Sequence, residues 1–130
     1  MDVNLLAPAE LLRLCLPALR ARRGHVVLVN SGAGLHANPA WSAYAASKHA
    51  LRALADSLRA EERAAGVRVT TVYPGRVATA MQAKVHEQQG KDYDPSDWIA
   101  PESVATAVVT ALDLPRDAAM TDVTVSPGPR

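Results

Sequence analysis

Residues 42–51 read SAYAASKHAL, a segment of helix formers in which Tyr44 and Lys48 stand four apart. On a helix that spacing brings both side chains onto one face, a turn from each other. The helix is expected from about Trp41 to Ala65, with Ser47, Leu51, Leu54 and Leu58 on a packing stripe. Arg52, Asp56, Arg59 and Arg63 form a solvated one. A tyrosine and a lysine at this distance are common by chance, so the pair gains meaning only from what surrounds it.

On the N-terminal side lies HVVLVNSG, a near-continuous β-branched run closed by a small-residue turn. Such a run suits a strand buried on both faces of a parallel sheet. After Gly66, VRVTTVYPG reads as a second buried strand ending in a Pro-Gly turn. Before both, LLAPAELLRLCLPALRARRG carries Leu12, Leu16 and Leu19 at helical spacing, with basic residues before a stop at Gly24. Pro17 is expected to kink that helix, not end it. Cys15, the single cysteine, reads as a small buried hydrophobe on the same helix.

Downstream, a polar stretch of some twenty-five residues ends near Trp98. Pro101 then opens another helix, with Glu102 in its first turn and Val104, Val108 and Leu112 facing inward. TDVTVSPG closes as a short strand. Three helices alternating with three strands are the grammar of an α/β fold, a partial doubly wound Rossmann-type parallel sheet. Its small size makes residues 1–130 read as the C-terminal half of one domain. In open sheets of this kind ligands sit beyond the carboxyl ends of the strands, here Asn30 to Leu35 and Tyr73 to Thr79.

Composition excludes several functions. At 48% hydrophobic and 21% charged residues the chain has ample core material and is not disordered. A net charge of +1 and the absence of Phe give no footprint for nucleic acid. No metal-ligand spacing occurs, and no signal segment or long uncharged span suggests a membrane, so a cytoplasmic protein is expected.

Three segments converge on the predicted ligand edge: Ser31 at the end of one strand, Tyr44 with Lys48 at the start of the following helix, and YPGRVAT at the end of the next strand. A phenol is a poor acid or base near neutrality, but a neighbouring ammonium favours its ionised form. Lys48 is placed to do this for Tyr44. The Ser31 hydroxyl suits a substrate oxygen on which negative charge builds.

With these residues the sequence resembles the short-chain dehydrogenase/reductase family along nearly its whole length. The family's Tyr-x-x-x-Lys corresponds to Tyr44 and Lys48, its serine thirteen residues earlier to Ser31, and its helix asparagine to Asn4 within MDVNLLAP. The P-G-x-V-x-T element corresponds to Pro74, Gly75, Val77 and Thr79, with Arg76 and Ala78 between them. PESVATAVV is similar to the helix before the family's last strand. The resemblance implies NAD or NADP as cofactor and a small-molecule alcohol or carbonyl as substrate. Tyr44 would exchange a proton with the substrate oxygen and Ser31 would hold that oxygen. Lys48 would bind the cofactor ribose, Asn4 would hold a water linking Lys48 to solvent, and Pro74 to Thr79 would contact the nicotinamide end. It also implies a homo-dimer or tetramer formed through the first two helices.

The family's T-G-x-x-x-G-x-G turn and its N-A-G element are absent from these residues. GAG at 32–34 does not replace the former, because the phosphate fingerprint needs a helix N-terminus directly after the first strand of a βαβ unit. The chain alone is therefore expected to be catalytically silent. Two other readings remain open: a non-enzymatic module that pairs through its first two helices, and an epimerase or dehydratase using the same tyrosine and lysine. His36 reads as a loop residue near the substrate, His25 as a strand start and His49 as helix surface. The stretch from Met81 to Trp98, with His86 and Tyr93, falls where the family keeps its substrate lid.

Overall fold

In the computed structural model, which describes residues 2–92 and 94–129, the run VTTVYP is the buried heart of a parallel sheet: every residue from Val69 to Pro74 is shielded from solvent. This strand, β2 (Arg68–Pro74), lies between β1 (His25–Val29) and β3 (Asp122–Val125). His25 pairs with Arg68 and Val29 with Val72 on one side; Thr71 pairs with Asp122 and Pro74 with Val125 on the other. Around the strands run α1 (Ala7–Arg22), α2 (Ser42–Glu62), α3 (Ala80–Gln89) and α4 (Pro101–Asp113). The expected α/β layering is present.

The core follows from the helical periodicities. Leu12, Leu16 and Leu19 of α1 pack with Ala55 and Leu58 of α2 against Val26, Val67 and Val69. Each fully buried valine or leucine contributes about 1.5–3 kcal/mol. The ends of the two helices are clamped by Arg20, whose Nε and Nη2 donate to the two Glu62 carboxylate oxygens at 2.8 and 2.6 Å. That guanidinium holds the Glu62 carboxyl below the usual range.

Several expectations are corrected. A further helix, α3, forms within the stretch read as a loop. Cys15 is exposed, on a face of α1 that also exposes Leu11 and Leu14. The left-handed residue closing α1 is Arg23 (φ 48°), not Gly24. Gly24 lies close under the Leu19 side chain, and a Cβ there, 2.7 Å from Leu19 Cδ2, would make that methyl group shift. In α4 the fully buried residue is Ala111, while Leu112 is 42% exposed. Tyr93 lies outside the described residues.

The strand β1 is not buried on both faces as its composition suggested. It pairs with β2 alone among the described residues, and Val29 is 52% exposed. An apolar strand with one unpaired edge is a template for another chain. We expect the 130-residue chain to self-associate in sedimentation experiments, and Val29→Lys to raise the monomer fraction by placing a charge at that edge. A monodisperse monomer at all concentrations would contradict this.

At the other end of β1 the His25 ring meets Thr70 Oγ1 at 2.7 Å. The Thr70 hydroxyl donates to Met120 O at 2.6 Å, so its oxygen accepts from His25 Nε2. Burial first, then the charges of Arg68 and Arg116, push the His25 pKa down. The native state therefore resists a proton that the unfolded chain accepts. Stability linked to His25 is complete above the unfolded value of about 6.5 and is lost as pH falls below it through the lowered native value. The urea midpoint is expected to decline from about pH 7.5 to about pH 5, and His25→Gln should flatten that decline.

Candidate active site

The carboxyl ends of β1 and β2 bring together the segments singled out in the sequence. Asn30 prolongs the β1 ladder by one bond, its N–H donating to Val72 O at 2.7 Å. Ser31 follows in extended conformation (φ −155°, ψ 174°), and its Oγ accepts from Ala33 N at 3.0 Å. This bond caps a single turn, Gly32–Gly34, which packs against α2. Ser31 is half-buried, with its hydroxyl proton still available to a ligand oxygen.

The chain reaches α2 through Ala40, held in the left-handed region (φ 67°), an unfavourable conformation for a residue with a Cβ. Trp41 then stands edge-on to the Tyr44 ring, centroids 5.8 Å apart. Tyr44 is 39% exposed on the first turn of α2, and Lys48 Nζ lies 5.8 Å from its ring centroid. The helical spacing thus brings the Lys48 ammonium over the ring of a solvent-accessible tyrosine.

Asn4 lies in a widened, π-helical turn (Asp2–Leu6) that leads into α1. Its Nδ2 donates to Ser47 Oγ at 3.2 Å, and the Ser47 hydroxyl donates to Tyr44 O at 2.8 Å. The asparagine is therefore tied to α2 between the tyrosine and the lysine, through the buried serine beside Lys48. Widened turns of this kind are frequent at functional sites.

The residue that joins the two halves of the site is one the sequence reading passed over. Asn30 is 3% exposed; its Nδ2 donates to Lys48 O at 2.9 Å and its Oδ1 accepts from Ser31 N at 2.8 Å. One buried amide thus fixes the backbone of Ser31 relative to that of Lys48. Gly34 leaves room for it: a Cβ at 34 would lie 2.5 Å from Asn30 Oδ1. A polar side chain closing an apolar strand was the available signal.

At the end of β2, Gly75 N donates to Val125 O at 2.8 Å, and the chain turns outward. Ala78 N donates to Ile99 O at 2.8 Å and Ile99 N to Arg76 O at 2.7 Å, so residues 79–98 leave and return at one point. Within that excursion His86 stands edge-on to Trp98, and the Arg76 guanidinium lies 5.8 Å from the Trp98 ring. The Pro74–Thr79 segment is thereby anchored on β3 and Ile99. Pro74 is buried, Gly75 and Thr79 are exposed and Val77 is half-buried. Of the loop and surface histidines, His36 is exposed, and His49 Nδ1 contacts Ala45 O at 2.8 Å within its own helix.

The parallel α/β sheet carries a serine, a tyrosine and a lysine at its carboxyl edge, and comparison with known proteins gives the class. The family model for short chain dehydrogenase matches residues 1–90, and the chain belongs to that family. It is 38% identical over 118 residues to dehydrogenase/reductase SDR family member 7B of Xenopus laevis, covering 86% of this chain and 36% of that protein. Among solved structures it is similar to an alcohol dehydrogenase of the archaeon Thermococcus sibiricus complexed with 5-hydroxy-NADP. That match has TM-score 0.79 and 26% identity, over 95% of this chain and 50% of the other. It is also similar to 4-hydroxyisoleucine dehydrogenase complexed with NADH and succinate, with TM-score 0.77 and 28% identity, over 98% and 56%. The chain thus spans about half or less of the length of these relatives.

Among the described residues no helix is long and apolar enough to cross a membrane, and no cluster of His, Cys, Asp and Glu is placed to hold a metal ion.

Proposed function

We propose that the chain carries the catalytic half of an NAD(P)-dependent oxidoreductase acting on a small alcohol or carbonyl compound. The observation that supports this most is the buried Asn30 amide, which couples the Ser31 loop to the α2 backbone at Lys48 and so holds the proposed catalytic groups in one frame. The donor set suits the cofactor's nicotinamide end: the Lys48 ammonium for ribose hydroxyls, with the Tyr44 phenol beside it, and the exposed Gly75 and Thr79 beyond a strand end for the carboxamide side. The cofactor, when bound, supplies or accepts the hydride.

The residues of the chain manage the proton and the substrate oxygen. In reduction, the Tyr44 hydroxyl gives its proton to the oxygen as the C–O bond acquires alkoxide character; in oxidation it takes that proton back. Ser31 donates a hydrogen bond to the same oxygen, where it is strongest as negative charge develops. Lys48 places a positive charge beside the phenol and is positioned for the ribose. Asn4, through Ser47, orients the first turns of α2, and in this reading holds a water that links Lys48 to solvent. Leu11 and Leu14, more than 60% exposed on α1, support assembly of the complete protein through its first two helices.

The test joins this chain to the N-terminal half of a short-chain dehydrogenase and follows NAD(P)H formation or loss against a panel of secondary alcohols and ketones. Turnover with a net change in reduced cofactor is expected. Conversion of substrate without any net change would point to epimerase or dehydratase chemistry, and no turnover by a folded, cofactor-binding chimera would overturn the reading. The 130-residue chain alone, without a glycine-rich turn, is expected to bind NADH or NADPH more weakly than micromolar in calorimetry.

A further inference from the structure

At the end of the sheet opposite Tyr44 and Lys48, a cavity of about 390 Å³ opens among the C-terminus of α2, the start of β2 and the segment before β3. At ~30 Å³ per molecule it has room for about a dozen waters. Five arginines line it: Arg23, Arg59, Arg63, Arg68 and Arg116. The lining contains one carboxylate, Asp117. Arg59 is ion-paired, with Nη1 3.0 Å from Asp56 Oδ1.

The other four have no carboxylate partner among the described residues. Arg68 is fixed by neutral acceptors instead: Nη1 donates to Leu114 O, Pro115 O and Ala118 O at 2.8, 3.2 and 2.9 Å, and Nη2 to Leu112 O at 3.1 Å. Its Nε is buried without a partner. Arg116 Nη2 donates to Gly66 O at 2.6 Å. Arg23 lies across Gly66, whose Cβ, if present, would be 2.5 Å from Arg23 Nε. Arg63 is exposed at the end of α2.

Carbonyl bonds fix guanidinium groups without cancelling their charge. Four cations without a carboxylate partner face one Asp117 and the C-termini of α2 and α4, each of which acts as roughly half a negative charge. The surplus exceeds what this fold needs to cap two helices, in a chain whose net charge is only +1. His25 responds to the same field, its pKa being pushed down in part by Arg68 and Arg116.

We propose that this cavity binds a compact multivalent oxyanion of the phosphate class, such as a diphosphate or a phosphorylated small molecule. Arg68 and Arg116 form its prearranged floor, and Arg23 and Arg63 close on the anion from the rim. Arg68, whose donors are held by carbonyls, contributes fixed charge, whereas the rim guanidinium groups suit phosphate oxygens because their donors pair with them in parallel. A small concave site with one surplus of charge fits a small anion, not a nucleic acid backbone, which needs an extended basic stripe.

The test titrates the 130-residue chain with sodium pyrophosphate by calorimetry and thermal unfolding, with sodium chloride adjusting ionic strength to a constant value. Saturable binding with a rise in melting temperature is expected. Arg23→Gln combined with Arg63→Gln should weaken binding at least tenfold and abolish most of the anion-induced rise in melting temperature, with only a small change in the melting temperature without anion, since neither side chain has an ion pair to lose. Arg116→Gln provides an independent second variant, and the His25 ring titration should move upward when the anion is bound. Lys48→Ala separates this site from the opposite edge of the sheet: it should leave pyrophosphate binding intact whether or not the chain is an oxidoreductase. Binding abolished by Lys48→Ala, binding equal in the arginine variants, or an effect reproduced by chloride alone would each overturn the proposal.

Discussion

Replacing Tyr44 by Phe in the chimeric enzyme is expected to lower turnover by about a hundred- to ten-thousand-fold, the usual contribution of a positioned acid–base group. The substitution removes one hydroxyl from a ring whose position is set by other contacts: the edge of Trp41, the ammonium of Lys48 and the α2 backbone. Cofactor affinity should therefore change little, and the loss should appear in kcat more than in KM. Lys48→Ala removes the charge beside the phenol and the group proposed to hold the ribose, so both cofactor binding and kcat should fall. Rates and coenzyme dissociation constants for the two variants check this. A Tyr44→Phe enzyme with parental kcat would remove Tyr44 from the proton path, whatever becomes of the rest of the reading.

Asn30 and Gly34 should behave as one unit in thermal or urea unfolding. Asn30→Ala leaves the Ser31 N–H without its partner and removes a buried bridge to Lys48 O. A cost of about 1–3 kcal/mol is expected, the range for stranding a buried donor. Gly34→Ala should cost a similar amount, about 1–3 kcal/mol, by overpacking against Asn30. Asn30 cannot easily yield, because its amide is held at both ends. In the double variant the shortened side chain at 30 vacates the space that the new methyl group needs, so the two costs should sum to clearly more than the measured total. Additive losses would show that the glycine and the asparagine are not coupled. Asn30→Asp is informative beside them: one oxygen can still accept from Ser31 N, while the other faces the Lys48 carbonyl, so destabilisation should grow as the carboxyl ionises.

The order of elements was legible because burial in a parallel sheet leaves local marks. HVVLVN and VRVTTVY are apolar and β-branched enough to be read as strands, and the leucines of α1 and α2 recur at helical spacing. Ser31, Tyr44, Lys48 and the Pro74–Thr79 element could be assigned to one edge of the sheet before any coordinates, since strand ends and the following helix starts must lie there in such a topology. Periodicity, however, states which face of an element is apolar and says nothing about what covers it. Cys15, Leu11 and Leu14 are exposed because α1 has a second apolar face beyond the one that meets α2, and β1, with Val29 exposed, has no described strand on the edge away from β2. The helix α3 was hidden because its sequence, AMQAKVHEQQ, lacks an apolar stripe, its place being set by the closure of residues 79–98 at Ile99. Asn30 likewise acquires its role only through a partner eighteen residues away. Sequence alone determined the layers and the chemistry at their edge. Tertiary structure decided which polar atoms meet across that edge, because a buried hydrogen bond between distant segments depends on how the segments are packed and leaves no local pattern.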